Sequence, residues 1–262
     1  MKQLRINRIF ITLVLVACTT VGFAQVNHAT PKAGHLVTEE FIQQHLLYPE
    51  SDLDAGNKGK VVVGFHLDDK GNGSNYLVKE TFSEAANDNA LDLVKKILWN
   101  PATKNMLPVE TDMEYTVEYN PKAYKRYWKK RERVAVPLAL EADSSYQIYE
   151  LRQLEEAAKP YFADGNTMPN YILSNLKYPE AAKVGEIHGT VRLGFVVETD
   201  GNVSNITIEN SVGGGCDNEA IRLLQNTHWI PAVKNGKHVR SFNKQDITFN
   251  FGERNYQDGN SY

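Results

Sequence analysis

Two cysteines in 262 residues, Cys18 and Cys216, are too few for a disulfide framework, which excludes the small stapled class of secreted domain. The ten prolines are scattered, so the chain holds no long stiff polyproline spacer. Its seven histidines show no metal-ligand spacing, and no phosphate loop, nucleophile elbow or zinc-protease motif occurs. No metal or cofactor is therefore expected. A net charge of −3 argues against a general nucleic-acid binder. No apolar run reaches the ~20 residues that a membrane span needs.

The N-terminus reads as a targeting segment. Lys2, Arg5 and Arg8 precede the apolar stretch Ile9–Ala17, and Gly22-Phe23-Ala24 before Gln25 has the small-residue pattern of a cleavage site. A lipobox is the alternative, because Leu15-Val16-Ala17 runs directly into Cys18. Cleavage after Ala24 removes three bases and no acid, leaving 26 basic against 32 acidic residues, a net of −6. Cys216 is then the lone thiol, and an exported chain without disulfides fits a bacterial periplasm.

What the chain has in plenty is itself. At a constant offset of 130 residues, Tyr48-Pro49-Glu50 recurs as Tyr178-Pro179-Glu180, Gly64-Phe65 as Gly194-Phe195, and Gly71-Asn72 as Gly201-Asn202. Trp99-x-Pro101-Ala102 recurs as Trp229-x-Pro231-Ala232. Between Ile42 and Ala232 roughly 18 aligned positions are identical without a gap, which makes the chain a tandem of one small domain. The expected division is signal peptide 1–24, flexible lead-in 25–34, first domain 35–120, linker 121–158, second domain 159–252 and disordered tail 253–262.

In the first copy Thr38–Leu47 has helical spacing with Thr38 as expected N-cap, and Lys60–Leu67 alternates as a strand. A Gly-Asn-Gly turn leads to a return strand at Asn75–Glu80, an amphipathic helix at Asp88–Leu98, and a third strand carrying Tyr115, Val117 and Tyr119. In the second copy Thr190–Val197 and Val203–Asn210 form the hairpin across Asp200-Gly201. Cys216 or Asp217 caps a helix through Asn226, Trp229 is expected as a large apolar anchor between helix and sheet, and Pro231 is expected to end the helix. Gln245–Phe251 closes the sheet, with Ile247, Phe249 and Phe251 inward and Asp246, Thr248 and Asn250 outward. The fold class is α+β: two repeated small domains, each a three-stranded antiparallel sheet with helices packed on one face. Between them, Pro121–Arg133 reads as a basic helical extension packing Tyr124, Tyr127 and Trp128, with a basic-aromatic contact surface as the alternative. Glu141–Ala158 reads as acidic linker with one short helix at Tyr149–Lys159.

The second copy resembles the C-terminal domain of the TonB family, in the version common in Bacteroidetes. The resemblance is carried by Tyr178-Pro179-Glu180-Ala181-Ala182, Gly189-Thr190-Val191, Leu193-Gly194-Phe195-Val196-Val197 and Asp200-Gly201-Asn202-Val203. It continues through Gly213-Gly214-Gly215-Cys216-Asp217, Trp229-x-Pro231-Ala232, Asn235-Gly236-Lys237 and Ile247-Thr248-Phe249-Asn250-Phe251. The first copy is similar but diverged: Lys70 stands where the second has Asp200, and Ser83-Glu84-Ala85-Ala86 replaces the glycine run.

The resemblance implies a non-enzymatic envelope protein that binds extended segments of partner proteins, such as TonB-dependent outer-membrane receptors, by adding them as a strand. Carried over, the pairing edge is Lys244, Gln245, Asp246, Ile247, Thr248, Phe249 and Asn250, with Asn175–Lys177 as a further contributor. A homodimer covering that edge, a scaffold with both edges covered, and a thiol enzyme using Cys216 are the alternatives. Against the last, His228, the nearest histidine in sequence, lies twelve residues on, about 18 Å away at the usual helical rise. Membrane association follows only if the N-terminus is retained or lipidated at Cys18. Mass spectrometry on fractionated cells is expected to find a soluble protein that begins at Gln25. An intact or lipidated N-terminus held in a membrane would instead place these domains on a leaflet of the envelope.

Overall fold

Each copy builds its core from one alternating hairpin and one amphipathic helix. The structure is a computed structural model that describes residues 26–129, 131 and 134–250. The targeting segment with Cys18, Arg133 of the basic stretch, Phe251 and the expected tail lie outside the described residues.

The first copy runs α1 (His35–His45), β1 (Gly59–Leu67), β2 (Gly73–Glu80), α2 (Glu84–Lys96), β3 (Thr111–Tyr119) and α3 (Pro121–Trp128). Its sheet is antiparallel with order β2-β1-β3. Val61, Val63 and Phe65 turn inward from β1 onto Phe41 and Ile42 of α1 and Ala90, Leu93 and Val94 of α2. The second copy repeats the plan with α4 (Met168–Asn175), β4 (Gly189–Val197), β5 (Val203–Asn210), α5 (Cys216–Gln225) and β6 (Lys237–Phe249). Val191, Leu193, Phe195 and Val197 meet Ala220, Leu223 and Leu224 in its core.

The hairpin turn and the Trp-Pro motif are one device. Gly201 has φ +84°, and a Cβ on it would lie 2.2 Å from the Trp229 carbonyl oxygen. Gly71 is placed in the same way against Trp99, also at 2.2 Å. A side chain there would push the tryptophan strand off the turn, so both copies need glycine for conformation and for close approach. Trp229 in turn donates its backbone N–H to the Gly201 carbonyl at 2.8 Å and sets its ring 5.2 Å from Phe195.

Several local expectations are corrected. Helix α1 begins at His35 behind Gly34, whose φ of +77° turns the chain inward; Thr38 is buried inside the helix, its hydroxyl on the Gly34 carbonyl at 2.8 Å. Helix α2 starts at Glu84, because Glu84-Ala85-Ala86 are good helix formers where the sister copy has glycines. Helix α5 has Gly215 as its N-cap residue, while Asp217 accepts from Val212 N and Ser211 Oγ and clasps the glycine loop. Trp229 and Pro231 do not end a helix: α5 stops at Gln225, and His228–Ile230 is a short strand paired with Lys159–Tyr161. The expected helix at Tyr149–Lys159 is a single 3-10 turn, Leu151–Gln153. The lead-in is pinned, with Val26–Asn27 paired to Thr103–Lys104 and Thr30–Pro31 to Trp99–Asn100.

The two copies are joined by a buried polar network. The Arg240 guanidinium makes two hydrogen bonds to the Glu198 carboxylate, each 2.8 Å, and both side chains are almost wholly buried. It also donates to the Tyr146 carbonyl of the linker at 2.8 Å and to the Lys96 carbonyl of the first copy at 3.0 Å. Beside it Asn205, held at φ +49° on a β-bulge, donates to Lys96 O at 2.9 Å and accepts from Leu98 N at 2.8 Å. Arg240→Ala is expected to cost about 3–5 kcal/mol, because Glu198 would stay buried without a partner. Asn205→Ala is expected to loosen the joint alone and split one unfolding transition into two. A denaturation curve unchanged in both variants would overturn this account of the joint.

His45 and His228 meet across the same joint, with Asp200 and Lys96 beside them. Burial, reinforced by His45, pushes the His228 pKa down, and the Asp200 carboxylate only partly opposes this. A histidine depressed in the folded state binds its proton more readily unfolded. Its stabilising contribution is thus complete above the unfolded value of about 6.5 and falls as pH drops below it. Thermal melts from pH 7.5 to 5 are expected to lose stability, and His228→Gln to flatten that loss.

Candidate functional site

Strand β6 is long, and its two edges are treated differently. On one side Ser241–Phe249 pairs with Val197–Gly189 of β4 without a register break. On the other side the strand begins covered by the linker. His238 donates to the Glu141 carbonyl and accepts from Asp143 N, both at 2.8 Å, and Arg240–Ser241 pairs in parallel with Ile148–Tyr149. Beyond Ser241 that side carries no further ladder among the described residues. Backbone groups alternate between the two edges of a strand, so those of Phe242, Lys244, Asp246 and Thr248 lie on the uncovered side with His238 and Arg240.

All seven residues expected at the site fall on this stretch, Lys244–Phe249 within β6 and Asn250 directly after it. Ile247 and Phe249 are buried in the core, while Asp246, Thr248 and Asn250 are exposed. The outward side chains are tied to the sheet. Arg192 grips Asp246 through two bonds of 2.7 Å, which hold its carboxyl below the usual carboxylate range. Thr248 pairs with Thr190 at 3.0 Å, and Lys244 reaches Glu209 at 2.8 Å. What the edge offers a partner is therefore main chain.

A groove of about 530 Å³ runs beside this edge. Gln245, Asp246, Thr248 and Asn250 form its strand wall, and α4 supplies an apolar wall of Met168, Ile172, Leu173 and Leu176. Leu173 is 66% exposed. Apolar residues at 169, 172, 173 and 176, three or four apart, are its signal in the sequence; Met168, Ile172 and Leu176 also pack on the core, and Leu173 is the exposed aliphatic among them. The segment Asn175–Lys177 is tied at both ends to α5. Lys177 N donates to Glu219 at 2.5 Å and the Asn175 carbonyl accepts from Arg222 at 2.7 Å, so it belongs to α5.

Cys216 is fully buried in the core at the start of α5. Burial first, and then the Asp217 carboxylate, push its thiol pKa up, which keeps it protonated rather than nucleophilic. Among the described residues no cluster of three or more histidine, cysteine or acidic side chains could hold a metal, and no helix is long and apolar enough to cross a membrane. A cavity of about 600 Å³ lies at the joint between the copies, where Lys96 pairs with Asp92 at 2.8 Å and Arg131 with Glu40 at 2.9 Å.

The family model described as the Gram-negative bacterial TonB protein C-terminal matches the chain twice, over residues 44–121 and 174–251. A solution structure of the Pseudomonas aeruginosa TonB C-terminal domain is similar at 23% identity, covering 41% of this chain and 97% of that one with a TM-score of 0.29. The Helicobacter pylori TonB C-terminal domain is similar at 18% identity, covering 32% and 78% with a TM-score of 0.24. No curated protein matches the chain.

Proposed function

The chain belongs to the TonB C-terminal family, and from that premise we propose that it is a non-enzymatic protein of the cell envelope whose second copy captures extended segments of partner proteins. The observation that carries the reading is the uncovered stretch of β6 beside the apolar wall of α4. An incoming segment takes up the unpaired backbone groups of Phe242–Thr248 as an added strand. Its alternate side chains fall on the groove side, against Ile172 and Leu173, and on the outer side, against Lys244, Asp246 and Thr248. Segments of TonB-dependent outer-membrane receptors are the partners that the family suggests, and the function is linked to transport across the outer membrane. Export by a cleaved leader ending at Ala24 places the protein in the periplasm.

The linker sets a limit on this site. Because Ile148–Tyr149 already pairs with Arg240–Ser241, a partner strand can begin only after Ser241. Titration with extended receptor-derived peptides is expected to shift the amides of Lys244–Asn250 in NMR spectra. Lys244→Pro, which removes an N–H on the uncovered edge, and Leu173→Asp, on the exposed wall, are each expected to weaken binding about tenfold or more. Leu173→Asp should change the melting temperature little, since that residue is two-thirds exposed. Unshifted amides with every such peptide would falsify the reading.

A further inference from the structure

The first copy has its own uncovered strand edge, and its chemistry is not that of the second. Strand β3 pairs with β1 along all nine residues, and its other side carries no ladder among the described residues. Along this strand and the residue before it stand Glu110, Asp112, Glu114 and Glu118, with no base. The matching stretch of the second copy, 240–248, holds Arg240, Lys244 and Asp246. Its one acid is clasped by Arg192, and Arg240 is consumed in the joint.

The acids of the first copy are only partly neutralised. Lys79 reaches Glu114 at 2.8 Å, and His66 lies 2.9 Å from Asp112 and 3.8 Å from Glu110. Lys60, which stands across from Glu118, is bonded to Glu80 at 2.9 Å. These pairs are exposed, with Asp112 at 90% and Glu110 at 69%, so they hold their partners weakly. The helix beside the edge is different too. Glu39 and Gln43 of α1 occupy the positions that Pro169 and Leu173 hold in α4. Glu39 lies close enough to β3 for its carboxylate to act, after burial, in pushing the Tyr115 pKa up to about 12. The first copy thus flanks its uncovered edge with acid on both walls, where the second copy presents aliphatic side chains on one.

We propose that the edge of β3 takes a basic extended segment of a partner protein, one with Lys or Arg at alternate positions, as an added strand. The unpaired main chain supplies the ladder, and the acidic row of β3 with Glu39 across from it selects the charge. The proposal rests on strand addition as this fold's mode of binding, and extends it to a second partner chemistry. The two copies then serve two unlike segments, an apolar one on β6 and a cationic one on β3.

The test uses the whole labelled protein and two ten-residue peptides, alternating Lys with Val and Glu with Val. The basic peptide is expected to shift the amides of Asp112–Glu118, and the acidic one to leave them in place. Raising the salt from 0.05 to 0.5 M should weaken the basic peptide about tenfold, as the Debye length falls from about 14 to about 4 Å. The neutralised variant Asp112→Asn/Glu114→Gln/Glu118→Gln should weaken it roughly threefold per charge removed, with an unchanged melting temperature. Equal response to both peptides, or a silent β3 while receptor-derived peptides still shift Lys244–Asn250, overturns this inference and spares the second-copy site. If neither edge responds to any peptide, strand addition itself falls, and this proposal with it.

Discussion

One guanidinium holds the molecule together. Arg240 lies on β6 where the linker stops covering the strand, and its donors reach the loop after β4, the linker and the end of α2 in the other copy. A buried ion pair is costly to desolvate and stabilises only when its remaining hydrogen-bonding groups are satisfied. Here they are: Glu198 receives both the guanidinium and the Ser204 hydroxyl, and the guanidinium's further donors end on main-chain carbonyls. The same residue therefore fixes the tandem joint and marks where the open edge begins, which couples the position of the binding stretch to the docking of the copies.

The joint is one-sided, each half of it supplied by a different copy. Domain two presents the bulge Asn205 and Arg240, and domain one receives them at Lys96–Leu98. A contact of this head-to-tail kind would propagate into a filament if each copy carried both halves. The first copy keeps the bulge, with Asn75 at φ +54°, but has Asp68 and Glu110 where the second has Glu198 and Arg240. Two acids cannot form the pair, and Asp68 is instead turned onto its own hairpin, accepting from Lys70 and Asn72. The interface is consumed once within the chain.

Much of this was legible in the sequence because the signals were periodic and local. Alternation along Lys60–Leu67 and Thr190–Val197 and the Asp-Gly turn report on residues near one another in the chain, and the ungapped offset of 130 residues repeats those local signals in the second copy. The errors arose where a distant partner decides. Pro231 reads as a helix end until the Gly201 carbonyl is seen to hold the Trp229 backbone in a strand, and the lead-in reads as loose until Trp99–Asn100 is found pairing with it. The edge Lys244–Asn250 comes into the reading by resemblance alone. Its apolar wall on α4 has no separate signal, because Leu176 is a core residue and Ile172 packs against the core, so the exposed Leu173 does not stand out as a second face. The linker pairing at Arg240–Ser241 had no sequence signal at all, since two residues of strand are below any periodicity.

The divergence of the two copies then acquires a physical meaning. Core positions were kept: Val61 matches Val191, Phe65 matches Phe195, and Leu93 matches Leu223, all buried in both copies. The exposed walls flanking the two uncovered edges changed, Gln43 against Leu173 and Glu114 against Lys244. Drift on a solvated surface is free to scatter charge of either sign, yet one edge gathered acid and the other an aliphatic wall. Because Arg240 and Asn205 hold the copies together, segments carried by one partner would meet the second edge as an intramolecular event, at an effective concentration set by the spacing between those segments. Two weak and chemically distinct strand additions on one body would then act as a single selective one.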